Sequence, residues 1–244
     1  MMREGGVEVG SGDGGMEPYL AIETSTAVGG VAVGRGERLL AEVVVGVQAR
    51  HSEVVLPAVE FALRAAGVTA ERLAGVVVGG GPGSFTGVRL AAATAKGLVR
   101  ALGVPLFAYS GLAALAAAVM AGDRPVCALF DARRGEVYAA CYRFPEYARM
   151  EAILGPVVCP IEDVLRETVG MAPIYVGDGA LRYRDVIERA GGVVAPPHAG
   201  AARASALLWL ADLAPEAGRV DAPAQWEPLY LRAAGSDREA AVGG

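Results

Sequence analysis

The 23 residues VVVGGGPGSFTGVRLAAATAKGL, at positions 76–98, constrain the fold more than any other part of the 244-residue chain. The apolar run at their start predicts a fully buried strand, and the glycines and proline after it predict a tight turn. The alanine-rich remainder predicts a helix from about Gly87 to Leu102, closed by Gly103. A strand, a tight turn and a helix are therefore expected in direct succession.

The turn in the middle of this segment has the ingredients of an anion-binding loop. Glycines permit close backbone approach, and the free N–H groups and dipole of a helix N-terminus favour negative charge. The GK[ST] ending of a P-loop is missing, and Arg89 and Lys96 lie at the wrong offsets to replace it. A tight turn with no ligand explains the glycines equally well. The residues concerned are Gly81, Pro82, Gly83, Ser84, Phe85, Thr86 and Gly87.

The first ordered part of the chain, over residues 19–46, contains three short apolar runs separated by tight turns, which predict an antiparallel meander. The first run ends at Glu23, followed by Thr24 and Ser25. A carboxylate beside two hydroxyls could hold a hydrated cation or contact a phosphate. Alternatively, the hydroxyls satisfy the backbone of the turn.

A second hairpin with the same pattern is predicted at RPVCALFDARR and GEVYAACYRF, over residues 124–144. Asp131 ends its first strand, and Arg133, Arg134 and Glu136 follow. These residues form either a catalytic carboxylate flanked by phosphate ligands or a solvated turn with local ion pairs. After an irregular stretch, the pattern predicts helices at IEDVLRETV, LRYRDVIERAG and RASALLWLADLA, and strands at PIYVGDGA and GVVAP.

Two predicted helices have faces suited to packing. The helix over 51–67 carries Pro57, which predicts a kink or a later start. In the helix over 87–102 the small residues let another helix approach closely, either inside the chain or in a partner. Ser52 is the predicted N-cap of the first helix, whose apolar face is Val55, Val59, Ala62, Leu63 and Ala66, and the face of the second is Ala91, Ala95 and Leu98.

Composition excludes several classes of protein. The net charge is −5 and the basic residues are scattered, so the chain offers no track for a nucleic-acid backbone. No apolar stretch is long enough for a membrane helix. His51 and His198 are the only histidines and form no HExxH pair, so a motif-based zinc site is not expected. Cys127, Cys141 and Cys159 are expected to be reduced core residues of a cytoplasmic protein.

Six segments, in order, resemble the TsaB family (also called YeaZ), a bacterial partner in making the threonylcarbamoyl-adenosine modification of transfer RNA. They are LAIETSTAVGGVAV, RHSEVVLPAVEFAL, VVVGGGPGSFTGVRLAAATAKGL, ALFDARRGEVYAACY, YVGDGA and EPLYLR. The resemblance implies an α/β fold of the actin-like ATPase (ribonuclease H-like) type, with two lobes that each have a mixed sheet and flanking helices. The lobes would cover 18–110, completed by a C-terminal helix over 204–233, and 111–203. The extension 1–17 and the tail 234–244 are expected to be disordered.

The resemblance also implies a scaffold rather than an enzyme. TsaB proteins are similar to their catalytic paralogue TsaD, whose two metal-binding histidines would fall on Gly111 and Leu115 here. Neither residue can ligate a metal. The expectation is therefore no catalytic residue, no metal and no cofactor of its own, with ATP or ADP confined to the interface of a complex. Glu23 stands where actin-like enzymes commonly have aspartate, which weakens the case for a metal-bound nucleotide.

The expected partners are TsaD, the ATPase TsaE and, when the chain is alone, a second copy, with transfer RNA bound only through the complex. The competing functions are an actin-like-fold enzyme, either an M22-type peptidase or a small-molecule kinase, and a homodimeric nucleotide-binding module. In the family, the helices matching 52–66 and 87–102 pack against a partner, over roughly 1,600 Å² or more. The predicted interface residues are His51, Ser52, Val55, Val59, Leu63, Arg89, Ala91, Ala95 and Leu98.

Overall fold

The structure is a computed structural model that describes residues 17–46 and 51–232, without the side chains of His51 and Ser52. The segments expected to be disordered, 1–17 and 234–244, lie outside the described residues except for residue 17. Within the described part of the chain, no helix is long and apolar enough to cross a membrane.

The first sheet has six strands in the order β11-β5-β4-β1-β2-β3. The strands are β1 (Tyr19–Glu23), β2 (Val28–Arg35), β3 (Arg38–Gly46), β4 (Gly75–Gly79), β5 (Leu106–Tyr109) and β11 (Arg219–Val220). Strands β1 to β3 form the predicted antiparallel meander. Strand β4 is buried throughout and pairs parallel with β1, as expected for an apolar strand covered on both faces.

Helices cover both faces of this sheet. Helices α1 (His51–Ala66) and α2 (Phe85–Leu102) lie on one face, over Leu20 and Ile22, and α7 (Ala204–Leu213) lies on the other, over Ala21. The alternation follows from the period of two in a strand. Helix α1 runs through Pro57 rather than starting after it, and Ser52 lies inside the helix instead of capping it, because the helix begins at His51.

The second sheet has the order β10-β9-β6-β7-β8. Its strands are β6 (Val126–Asp131), β7 (Glu136–Arg143), β8 (Glu151–Pro160), β9 (Ile174–Val176) and β10 (Val193–Val194), and its helices are α3 (Gly111–Val119), α4 (Ile161–Glu167), α5 (Asp178–Arg182) and α6 (Arg184–Arg189). The sequence pattern missed β8. Gly155 and Pro156 interrupt its alternation, and the pairing with β7 shifts register beside them.

An apolar core joins the two sheets. Helix α7 packs on the first sheet, α3 packs on the second, and the two helices pack against each other. Leu112, Leu115, Leu207 and Leu210 are fully buried in this region, and alanines fill most of the remaining helix positions. The sheets therefore share one continuous buried layer.

Two expectations from the sequence are wrong. The C-terminal segment is not a helix over 204–233, because α7 ends at Leu213 and Pro215 begins the separate short helix α8 (Pro215–Gly218).

Cys127 and Cys141 are not reduced but form a disulfide. They lie directly opposite each other on β6 and β7, with their Cα atoms 4.1 Å apart, a pairing that only the hairpin register reveals.

Candidate functional site

The glycine-rich turn packs against the end of β1. The backbone N–H of Ser84 donates to the carbonyl oxygen of Ser25 at 2.7 Å, and the Thr24 hydroxyl donates to the carbonyl oxygen of Gly87, also at 2.7 Å. A Cβ atom on Gly83 or Gly87 would overlap the carbonyl oxygen of Ser25 or Thr24. These glycines therefore allow the glycine-rich turn to lie close to the backbone of Thr24 and Ser25.

The N-terminus of α2 is also partly satisfied from within the chain. Ser84 is the N-cap, and its hydroxyl accepts a 3.4 Å hydrogen bond from the N–H of Gly87. Phe85 begins the helix and lies under the guanidinium of Arg89, 5.1 Å from its ring centroid. Self-packing accounts for the glycines of this turn, and anion binding there stays a prediction.

Glu23 is fully buried beside this turn. One of its carboxylate oxygens, Oε1, accepts the backbone N–H of Ser25 at 2.6 Å, whereas Oε2 and the buried Ser25 hydroxyl have no hydrogen-bond partner. Oε2 lies against Gly79, where a Cβ atom would overlap it. Burial raises the pKa of Glu23, and polar groups of Ser25 and Thr24 offset this only in part. A carboxyl group whose ionisation is opposed by burial is poorly suited to contact a metal-bound nucleotide.

The second hairpin places Asp131 at the end of β6, in a network of local contacts. Its carboxylate pairs with Arg182 at 3.4 Å and with Arg133 at 3.8 Å, and it accepts the backbone N–H of Arg133 at 3.0 Å. Asp178 accepts the backbone N–H of Asp131 at 3.1 Å, and burial raises the pKa of Asp178. Its partners are Arg133 in the turn itself and Asp178 and Arg182 on the neighbouring α5, which favours the interpretation as a turn with ion pairs. The side chain of Asp131 is only 11% exposed, so this turn is less solvated than the sequence suggested.

A C-terminal segment that sequence reasoning gave no role connects the two regions. We call residues 226–232 the strap. The N–H of Leu229 donates to the carbonyl oxygen of Gly80 at 2.8 Å, and the ring of Tyr230 lies 5.2 Å from that of Phe85. At its end, Arg232 hydrogen-bonds to the carbonyl oxygen of Ala132 and pairs with the carboxylate of Glu136. The only signal in the sequence was the motif EPLYLR itself.

The predicted partner interface is partly wrong. Ala91 and Ala95 are 0% exposed, and Val55 and Val59 are each 5% exposed, because these residues pack in the core between the helices and the first sheet. The small residues bring α2 close to its own sheet and leave nothing there for a partner to touch. Arg89 is exposed, and Leu63 and Leu98 are half-buried. The side chains of His51 and Ser52 lie outside the described residues.

Outside these buried residues, the surface of the same helix pair is exposed and partly apolar. Leu56 is 58% exposed and Phe61 is 53% exposed, with the guanidinium of Arg64 5.6 Å from the Phe61 ring centroid. On α2, Ala93 and Gly97 are exposed. Leu56 and Phe61 lie on opposite flanks of α1, on either side of its buried residues. We call the exposed surface that carries Leu56, Phe61, Ala93 and Gly97 the outer helix face.

Other predicted features are placed without forming a further site. Gly111 and Leu115, the positions of the paralogue's histidines, are buried in α3. His198 is exposed in the short turn Pro197–Ala199. Cys159 is half-buried, and burial raises the pKa of its thiol. Among the described residues, no group of three histidine, cysteine, aspartate or glutamate side chains is arranged to hold a metal ion.

Two mixed sheets with flanking helices, each sheet carrying a hairpin with an acidic residue at the end of its first strand, define a two-lobed α/β protein of the actin-like class. The family model described as "TsaD: tRNA N6-adenosine threonylcarbamoyltransferase" matches residues 44–204.

Three curated relatives are named "tRNA threonylcarbamoyladenosine biosynthesis protein TsaB". The protein of Haemophilus influenzae is 30% identical over 87% of this chain and 92% of its own length. The protein of Escherichia coli is 30% identical over 87% of this chain and 94% of its own length. The match to the Bacillus subtilis protein, at 38% identity, spans 51% of this chain and 55% of that protein.

Solved structures agree with these relatives. YeaZ from Pseudomonas aeruginosa has a TM-score of 0.76 and 31% identity, over 88% of this chain and all of that one. A second P. aeruginosa structure, described as an uncharacterized protein with similarity to peptidase YEAZ, has a TM-score of 0.75 and 32% identity, over 89% of this chain and all of that one. The chain belongs to the TsaB (YeaZ) family, which confirms the resemblance seen in the sequence.

Proposed function

We propose that this chain is a non-catalytic subunit in the biosynthesis of threonylcarbamoyladenosine in transfer RNA, where it binds and stabilises the catalytic TsaD subunit. The assignment to this pathway is supported by relatives that are named for it and that match over most of their length. The proposal includes TsaE as a further partner, transfer RNA bound only through the complex, and a cytoplasmic location. Any ATP or ADP is held at the joint surface with a partner.

The observation that carries the non-catalytic role is that the glycine-rich turn is packed against the chain's own residues. The Thr24 hydroxyl, the Ser25 carbonyl oxygen, and the backbone N–H and hydroxyl of Ser84 are hydrogen-bonded to one another or to Gly87 of the turn. Glu23 is sealed beneath them with a raised pKa. The positions of the paralogue's metal ligands, Gly111 and Leu115, are core residues. The two polar side-chain atoms here without a partner, Glu23 Oε2 and the Ser25 hydroxyl, are buried and so are not open to a substrate.

The outer helix face is the proposed docking surface for the partner. Leu56 and Phe61 are large apolar side chains that are more than half exposed on one helix. Ala93 and Gly97 on the neighbouring helix are small enough to let a partner's helix approach closely. A stable interface of roughly 1,600 Å² needs such an apolar centre. The same face joins two copies of the chain when TsaD is absent.

The test is a reconstitution with TsaD, TsaE, transfer RNA, ATP and threonylcarbamoyl-adenylate, in which modified adenosine is measured by nucleoside mass spectrometry. We expect modification to require this chain and the chain alone to produce none. Modification that proceeds equally well without the chain would overturn the proposal.

The docking surface is tested in the same assay. The double variant Leu56→Asp/Phe61→Asp should weaken the affinity for TsaD by at least about 100-fold, because charges would replace two apolar side chains that the interface would bury. Val169→Asp is the matched control, since Val169 is 77% exposed on the second lobe. Affinity is measured by titration calorimetry, and the self-association of each variant by analytical ultracentrifugation. Unchanged binding by the double variant would place the interface elsewhere.

A further inference from the structure

We propose that the strap, residues 226–232, is a latch that ties the glycine-rich turn of the first lobe to the β6–β7 turn of the second lobe and so fixes the separation of the lobes on that side. The inference is independent of the partner and of the proposed function. It rests on the contacts at the two ends of the strap and on the nature of the core that otherwise joins the lobes.

The first end of the strap is fixed to the first lobe by backbone fit. Leu229 is hydrogen-bonded through its N–H to Gly80, and a Cβ atom on Gly81 would lie only 2.7 Å from the carbonyl oxygen of Leu229. The ring of Tyr230 packs on Phe85 at the start of α2. Glu227 pairs with Lys96 of the same helix at 3.1 Å.

The second end is fixed to the second lobe by a single charged side chain. The guanidinium of Arg232 donates to the carbonyl oxygen of Ala132 and to the carboxylate of Glu136. It therefore contacts the β6–β7 turn where the turn begins and where it ends. The Arg232 side chain is only 15% exposed. Charge-assisted hydrogen bonds from a partly buried guanidinium are strong and directional.

Elsewhere the lobes meet mainly through α3 and α7, whose contact is rich in alanine and leucine side chains. Two further contacts are the ring of Phe144 against that of Trp209, with centroids 5.8 Å apart, and a 3.2 Å hydrogen bond from the N–H of Gly111 to the carbonyl oxygen of Gly81. Apolar contacts are non-directional, and packed helices can slide past each other by small shear movements. The helix–helix part of the contact therefore resists separation of the lobes more than small sliding movements between them. The strap adds a directional tie, which is why we assign to it the restriction of lobe movement.

The experiment measures the distance between the lobes by pulsed electron paramagnetic resonance. Nitroxide labels are placed at Arg100→Cys on α2 and Glu162→Cys on α4, both exposed and both outside the outer helix face, in a Cys159→Ser background. Arg232→Gln removes the contact of the strap with the second lobe, and Tyr230→Ala removes its ring contact with the first lobe. Arg219→Gln is the control, because Arg219 is exposed in the same part of the chain but outside the strap.

We expect a narrow distance distribution for the parent and for Arg219→Gln, and a broader one with a longer mean for both strap variants. Amide exchange read by mass spectrometry should accelerate about tenfold in the strap and in the β6–β7 turn together. Distributions and exchange rates equal to the control in both strap variants would overturn the proposal. If one variant does not fold, the other decides, since the two act on different lobes.

Discussion

Gly87 and Gly97 lie in the same helix but in opposite surroundings, which makes them a matched pair at the scale of single residues. A Cβ atom at position 87 would overlap the carbonyl oxygen of Thr24, whereas at position 97 nothing lies within 4 Å. We expect Gly87→Ala to lower the free energy of unfolding by roughly 1–3 kcal/mol through overpacking. Gly97→Ala should be neutral or raise it by up to about 1 kcal/mol, because alanine favours helix. Urea unfolding measures both, and equal effects would contradict self-packing as the role of Gly87.

The buried carboxyl of Glu23 should make stability depend on pH. Because its folded pKa is raised above the ordinary value of 4.5, its favourable contribution is complete below that pH and is lost as pH rises through the folded pKa. Glu23→Gln removes this ionisation, so the variant should melt at a higher temperature than the parent near neutral pH and lose that advantage near about pH 4. Thermal unfolding across this range is the measurement. The control is Glu60→Gln, on an exposed side chain, and a parent and Glu23→Gln with the same pH response would refute the prediction.

At the scale of elements, Glu42 connects β3 to the start of α7. Its carboxylate accepts two hydrogen bonds from Arg203, at 2.6 and 3.3 Å, and two from the N–H and hydroxyl of Ser205, at 3.1 and 2.8 Å. Burial alone would raise the pKa of Glu42, but these hydrogen bonds outweigh it and the pKa is lowered. The contact therefore anchors α7 by its first turn to the edge of the first sheet.

This anchor predicts the opposite pH response to Glu23. The contribution of Glu42 is present above its unfolded pKa, near 4.5, and is lost as pH falls through the lowered folded pKa. Glu42→Gln should reduce the free energy of unfolding by roughly 1–3 kcal/mol near neutral pH, and by less in acid. Denaturant unfolding at several pH values tests this, with the exposed Glu37→Gln as control. A loss that stays constant down to acid pH would show that charge plays no part.

Elements were predicted well where one physical signal dominates. The meander, the buried strand β4 and helix α2 with its Gly103 C-cap all follow from local period and glycine chemistry. Strand β8 was missed because Gly155 and Pro156 break its alternation. The faces of α1 and α2 were identified as apolar, but sequence cannot say whether such a face meets its own sheet or a partner, because both require small apolar residues.

At the scale of the whole molecule, the two hairpins were predicted from the sequence pattern and the two lobes from the family resemblance, and the structure shows two sheets of that kind. The disulfide and the strap were not predicted. Both join residues that are distant along the chain, 14 positions apart for Cys127 and Cys141 and nearly 100 for Glu136 and Arg232. Such pairings depend on strand register and on the path of an irregular segment, and neither leaves a local pattern in a single sequence.

The Gly155–Pro156 break in β8 also affects whether a strand of another molecule can pair with the edge of the second sheet. β8 is the outermost strand of the second sheet, and unpaired edges invite strands from other molecules to add to them. Proline lacks the N–H group that a new neighbour would need, and the register shift beside it spoils a regular hydrogen-bond ladder. The feature that hides this strand from sequence analysis thus makes the edge of the second sheet a poor template for a strand from another molecule.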